Sequence, residues 1–438
     1  MAAPVTPPRG MRDFLPTDKA KREHALGTIR RTFSSHGFDE IETPMVEDYD
    51  RLHAGLGGDN EKLAFNILKR GLSADDVAAG SEDQASLTDL GLRYDLTVPL
   101  ARYYATHRAE LPPVFRSIQI GPVWRAERPQ KGRYRQFVQC DIDIIGEASN
   151  LAEAELITAT IATFRELGIE GCSVRINDRR LLIGMLESLG FPEASHAQVL
   201  ITIDKLDKVG QDGVVAELRD RGVDAAAVDA LDAFFRRPQT MEFNSFGERA
   251  IRKALPEGAD DAVVAELDAL GRAVAAATGV GNDAPGPLGS PLVFDPFLVR
   301  GMGYYTGTIF EIAHPDLGYS LGGGGRYDGM IGRFLGQDVP AAGSSIGFER
   351  IVDLVELPVD AIADSVVLVH DRDVATETLV ALKAALVASG RRVRLEPRVK
   401  NLKALLDRVT AAGFGSFAFV SSEATPAALD SLEFKPLA

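Results

Sequence analysis

The residues with the strongest chemical character fall in one run, RAERPQKGRYRQFVQCDIDIIG, from Arg125 to Gly146. Side chains alternate across a β-strand, so Arg135–Ile145 can be read by its two faces. Gln136, Val138, Cys140, Ile142 and Ile144 make a mostly apolar face suited to a core, with Cys140 as a small core residue. Arg135, Phe137, Gln139, Asp141, Asp143 and Ile145 make the other. Unpaired buried polar groups cost roughly a few kcal/mol each, so Gln139, Asp141 and Asp143 need partners. Either that face is solvated or it lines a site. Arg125 and Glu127 share a face of the preceding strand. An arginine fork can grip a phosphate or carboxylate, a neighbouring carboxylate can hold that fork or accept an amino-group proton, and Phe137 can offer its ring to a nucleobase. The simpler reading of Arg125 and Glu127 is an ion pair across a hairpin. Tyr304 and Tyr305 read either as strand aromatics or as site residues. The run Gly322–Gly325 reads either as a flexible turn or as a place where backbone approaches a ligand.

These residues need elements to hold them. Residues 114–146 read as two strands joined by the polar loop RPQKGRYR. An amphipathic helix over 18–36 precedes a short strand, Asp39–Thr43, ended by Pro44. Residues 60–95 read as a hairpin-like passage around a turn-rich segment, Ser73–Asp89. Helices follow at Leu151–Leu167 and Asp178–Leu189, then a helical insertion over about 195–280 whose composition carries no legible chemistry. Gly279–Gly289 has loop composition. Strands resume at Leu292–Val299 and Thr306–Ala313. Pro358–Asp364 has linker character. Beyond it, β-rich runs at Ser365–Val369, Arg392–Leu395 and Ser416–Val420 alternate with helical patterns, which argues a small α/β domain.

The bulk numbers bound the answer. The chain has 438 residues, 45% hydrophobic and 25% charged, which leaves room for two or three domains. No apolar stretch is long enough for a membrane span, and the N-terminus lacks the apolar centre of a secretory signal. Two cysteines cannot close a four-ligand zinc site, and no disulfide is expected, so the cytosol is the expected compartment. The net charge of −15 argues against wholesale adhesion to nucleic acid. Two basic islands stand against it, one at Arg125–Arg135 and one at Arg391–Lys403. They point to two local polyanion contacts or, more simply, to solvated charge.

Taken together, RAERPQKGRYRQF resembles motif 2 of class II aminoacyl-tRNA synthetases in its histidine-specific form, and four companion segments appear in the family's order. GMRDFLP (Gly10–Pro16) with the run to Pro44 is similar to the entry and motif 1. LRYDLTVPLARY (Leu92–Tyr103) is similar to the amino-acid-binding turn, and RGMGYYTGTIFE (Arg300–Glu311) to the histidine-specific peptide. GGGGRYDGMI and SSIGFERI (Gly322–Ile331, Ser344–Ile351) are similar to the approach to motif 3 and motif 3 itself.

The resemblance implies an α+β fold. A class II antiparallel sheet with flanking helices would occupy residues 1–357, followed by a shortened anticodon-binding-like domain over 365–438. It implies histidine–tRNA ligase activity with ATP, Mg²⁺, L-histidine and tRNA(His), in a homodimer built through motif 1, with no resident metal site. Arg125 would clamp the α-phosphate and the amino-acid carboxylate, with Arg300 supplying charge beside them. Glu127, Arg133, Tyr134, Phe137 and Arg350 would hold ATP. Asp95, Leu96, Thr97 and Gln139 would meet the amino-acid end of histidine, while Asp143, Tyr304 and Tyr305 would hold its imidazole. Arg128 and Gln130 would touch the tRNA acceptor end. The chain departs from the family at Met302 and Gly303, where Leu and Asp are usual, and Asp141 has no implied role. A non-catalytic relative, the regulatory subunit of ATP phosphoribosyltransferase, is the rival reading.

Overall fold

The computed structural model describes the chain except residues 1–4, 54–62, 81–82, 130–132, 238–245, 280–290, 301–303, 357–363, 426–428, 430–431 and 438. Two compact units emerge: Met1–Arg12 with Gly27–Leu354, and Asp13–Leu26 with Val355–Ala438. That division gives the second unit part of the N-terminal helix, Pro16–Ser35, which chain order alone would leave with the first.

The first unit holds strands β1 (Asp39–Glu40), β2 (Val46–Asp48), β3 (Phe65–Leu68), β4 (Thr88–Leu92), β5 (Phe115–Trp124), β6 (Gln136–Ile145), β7 (Ser173–Asp178), β8 (Leu292–Phe294), β9 (Thr308–Ala313), β10 (Gly322–Arg326) and β11 (Ala341–Ile346). Eight of them form one sheet in the order β1-β5-β6-β11-β10-β9-β7-β8. Its interior is antiparallel, as expected. Both edge pairings, β1 with β5 and β7 with β8, are parallel. The longest pairing joins β5 to β6, from Phe115 opposite Ile145 to Trp124 opposite Gln136. Cys140, Ile142 and Ile144 are fully buried, so the apolar face of β6 is core. The helix Leu151–Glu166 is tied to this sheet, with the Thr160 hydroxyl 3.0 Å from that of Ser344 on β11.

One open reading is decided and one expectation needs correction. The run Gly322–Gly325 is no turn: it is β10, a central strand between β9 and β11. Glycine normally weakens a strand, and here close approach requires it. A Cβ on Gly324 would fall 1.9 Å from the Gly343 carbonyl oxygen. The segment after Ser73 is more ordered than its turn-rich composition suggests. Ser73 and Asp76 form a reciprocal capping box that starts a helix at Ala74–Ala79. The flanking β3 and β4 pair antiparallel beside β2, as a hairpin-like passage requires.

The insertion is helical, with Asp224 and Asp260 capping Ala225–Phe235 and Asp261–Thr278. In the second unit, β12 (Ser365–His370), β13 (Arg392–Pro397), β14 (Ser416–Val420) and β15 (Lys435–Pro436) order as β13-β12-β14-β15. The first three run parallel and β15 returns antiparallel. Val366 and Leu368 pack on one side with Leu382, while Val367 and Val369 pack on the other with Leu405. Burial on both faces explains why β12 reads as an unbroken apolar run.

Candidate active site

Strands β6, β9, β10 and β11 contribute to a cleft of about 590 Å³. Because side chains alternate, Phe137, Gln139, Asp141 and Asp143 all project from β6 into it. Asp95, Thr97, Arg125, Glu127, Arg133, Tyr134, Arg300, Tyr304, Tyr305 and Arg350 also line it. Two described candidates do not join them. Leu96 is a core residue whose carbonyl accepts a 3.0 Å bond from Gln119 Nε2. Arg128 is exposed and outside the cleft lining. Gln130 lies outside the described residues, as do Met302 and Gly303.

One part of the cleft is cationic. Arg300 lies 3.8 Å from Glu311, and Arg350 donates to the Ser320 carbonyl. Burial, together with the like charges of Arg133 and Arg300, pushes the Arg350 pKa down. Cations that repel one another in a partly desolvated cleft favour an anionic occupant. Arg125 donates from Nε to the Tyr94 carbonyl at 3.0 Å, and its guanidinium lies 5.0 Å from the centre of the Phe137 ring. Glu127 pairs with Arg133, at 3.4 Å, rather than with Arg125. The ion pair across this hairpin therefore leaves the Arg125 fork to face the cleft.

The other part is acidic. Asp95 sits just before the helix Thr97–His107 and accepts the Val98 N–H at 3.1 Å; burial raises its pKa. Burial, and then neighbouring Asp143, push Asp141 well above the usual carboxylate range. Asp143 is raised to about 7 by burial, with the Tyr327 hydroxyl pulling the other way and Asp95 adding to the rise. The Tyr327 hydroxyl donates to Asp143 Oδ1, and the Tyr304 ring stands 5.9 Å from that of Tyr327 and 4.8 Å from that of Tyr305. Such a pocket suits a small group with polar N–H donors.

The family model described as histidyl-tRNA synthetase matches residues 10–351. A curated histidine–tRNA ligase from Leifsonia xyli subsp. xyli is 63% identical over 440 residues, spanning 100% of this chain and 99% of that protein. The chain belongs to the histidyl-tRNA synthetase family. A probable histidine–tRNA ligase from Tropheryma whipplei is 42% identical, over 96% of this chain and 97% of the relative. Among solved structures, histidyl-tRNA synthetase from Nostoc sp. PCC 7120 superposes with a TM-score of 0.73 at 26% identity, covering 100% of this chain and 97% of that one. An ATP phosphoribosyltransferase regulatory subunit/histidyl-tRNA synthetase from Bacillus halodurans gives 0.72 at 20% identity, over 97% and 100%. That likeness concerns the fold alone.

Sequence reasoning missed four cleft residues that this family's scaffold brings together. Tyr327, just after the glycine strand, holds Asp143. Glu311, at the end of the YYTGTIFE run, faces Arg300. Glu349, next to Arg350, pairs with Arg12 and accepts the Val138 N–H at 3.2 Å. In each case the available signal was a polar residue inside a quoted motif. Asp204, from the helical insertion, also lines the cleft and had none.

Proposed function

We propose that this chain is an aminoacyl-tRNA synthetase that joins L-histidine to ATP as histidyl-adenylate. It then transfers histidine to the 3′ end of tRNA(His), releasing AMP and pyrophosphate. The observation that carries this reading is the division of one cleft into an arginine cluster and a buried carboxylate–tyrosine cluster. The first has the chemistry for phosphates and the second the chemistry for an amino acid with ring N–H groups. The near full-length likeness to curated histidine–tRNA ligases supports it over the regulatory-subunit alternative.

In the first step the histidine carboxylate attacks the α-phosphorus and pyrophosphate leaves. Two anions meet and charge builds on the phosphoryl oxygens, so preorganised donors matter more than an acid or base. Arg125 bridges the carboxylate and the α-phosphate, Arg300 adds charge beside them, and Arg350, Arg133 and Glu127 hold the nucleotide. Phe137 stacks on adenine and Tyr134 closes against the ATP. Asp95, Thr97 and Gln139 receive the α-amino group, with the backbone of Leu96 setting the turn. Asp143, held by Tyr327, takes a ring N–H, with Tyr304 and Tyr305 completing the imidazole pocket. A site built on such bonds rejects analogues lacking them by about 10⁴–10⁵, so no editing domain is required. No covalent nucleophile is needed.

The described residues hold no group of three or more His, Cys, Asp or Glu that could cage a metal ion. Mg²⁺ would enter on the phosphates of ATP, where it would supply further positive charge. Arg128 and Gln130 meet the acceptor end of the tRNA, and the second unit serves as an anticodon-binding-like domain. The family's motif 1 segment forms a homodimer, and Met45, exposed just beyond Pro44, is available for it. No helix among the described residues is long and apolar enough to cross a membrane.

Histidine-dependent exchange of pyrophosphate into ATP tests the reaction. No exchange by pure protein at saturating ATP and histidine would sink it and promote the regulatory reading.

A further inference from the structure

Of the four buried side-chain atoms that lack a partner among the described residues, two are neighbours on the cleft face of β6: Gln139 Oε1 and Asp141 Oδ1. The Gln139 amide is committed on its donor side. Nε2 reaches Asp141 Oδ2 at 3.3 Å and Ser345 Oγ at 3.4 Å. What remains is a pair of acceptors, one of them on a carboxylate, lining the same cleft as Asp95. Orphaned buried acceptors of this kind point to an occupant that brings donors. Asp141 is 5% exposed, so bulk water does not serve it freely.

We propose that Asp141 is a further substrate-binding residue, whose carboxylate, with Gln139 Oε1, receives the α-ammonium group of the amino acid. This rests on the histidine-activating reading above and extends it. Two features favour an ammonium over the imidazole. An ammonium carries three donors and can serve Gln139, Asp141 and Asp95 together, with the Thr97 hydroxyl sharing one of them, whereas an imidazole offers at most one donor at each ring nitrogen. The ring-side carboxylate already exists in Asp143, which Tyr327 holds. The charge count agrees as well. Asp143 and Asp95 both push the Asp141 pKa up, Asp95 pushes Asp143 up, and Arg125 is the cation that offsets Asp95 and Asp141. A second positive charge, supplied by the substrate, relieves that repulsion.

The test compares L-histidine with 3-(imidazol-4-yl)propanoate, the same molecule without its amino group, on wild-type protein and Asp141→Asn. Affinity is measured by calorimetry, and histidine-dependent pyrophosphate exchange is run alongside. Asp141→Asn is expected to weaken L-histidine by about 30-fold or more and the deamino compound by less than about threefold. The KM for ATP should hold. Equal losses on the two ligands would make Asp141 a structural residue and overturn the proposal, as would no loss on histidine. If Asp141→Asn does not fold, Asp141→Ser, which removes the charge with less bulk, is put through the same comparison. Failure of the broader reading looks different: the wild-type protein itself would show no histidine-dependent exchange.

Discussion

Replacing Gly343 with alanine gives a quantitative check on how the imidazole pocket is built. Gly343 lies opposite Asp143 in the β6–β11 pairing. A Cβ added there would stand 2.0 Å from Asp143 Oδ1 and 3.1 Å from Cε1 of Tyr327. Ordinary contact begins near 3.4 Å, so the carboxylate must retreat by more than an ångström. Oδ1 is the same atom that accepts the Tyr327 hydroxyl, so the retreat breaks that bond as well. Backbone on neighbouring strands is not displaced, and the sheet should survive. A misplacement of about 1 Å in a positioned site can cost about 10²-fold, which is about 2.7 kcal/mol of transition-state stabilisation. Gly343→Ala should therefore lose about a hundredfold in kcat/KM for histidine in pyrophosphate exchange. Its KM for ATP and its melting temperature should stay close to wild type. Gly324→Ala provides the contrast: its Cβ would meet the Gly343 carbonyl at 1.9 Å, so it should cost stability first. Retention of histidine kcat/KM within about threefold in Gly343→Ala would refute the assignment of Asp143 to the substrate ring.

Arg300→Ala should leave histidine binding nearly intact while adenylate formation falls by about 10²–10³, measured by calorimetry and single-turnover exchange. Turnover within a few-fold of wild type would remove Arg300 from the reaction. Asp143 is raised to about 7, so it gains a proton and loses acceptor capacity as pH falls through that value. Affinity should therefore drop below about pH 7, by at most about tenfold per unit, for a triazole analogue of histidine that stays neutral in this range. The limb should vanish in Asp143→Asn; an unchanged limb there assigns it to another group. Gln130→Ala should spare pyrophosphate exchange and slow tRNA charging, and equal loss in both assays would contradict an acceptor-end contact.

The alternation along β6 was legible because one face is core. Cys140, Ile142 and Ile144 announce burial, and the intervening polar residues must then share the opposite face. Local pattern could not say what that face meets. Tyr327 reaches Asp143 across 184 residues of chain, and Glu349 reaches Val138 across 211, so neither partner leaves a trace in periodicity. The glycine run stays ambiguous in sequence for a related reason. Taken alone, four glycines describe backbone freedom, which serves a turn and a close backbone approach equally. Only pairing shows that Gly323 lies opposite both Ser345 and Glu311, and that Gly324 lies opposite Ser344 and Phe310. A side chain on Gly322 would strike the Ser345 carbonyl at 2.7 Å, and one on Gly323 the Phe310 carbonyl at 2.5 Å. The strand is thus stripped of side chains where it crosses a cleft floor, next to Arg300, whose Nη1 would lie 3.1 Å from a Cβ on Gly323. That bareness leaves room for a ligand to lie against the sheet beside Arg300. Composition records the glycines; the register explains why a central strand tolerates them.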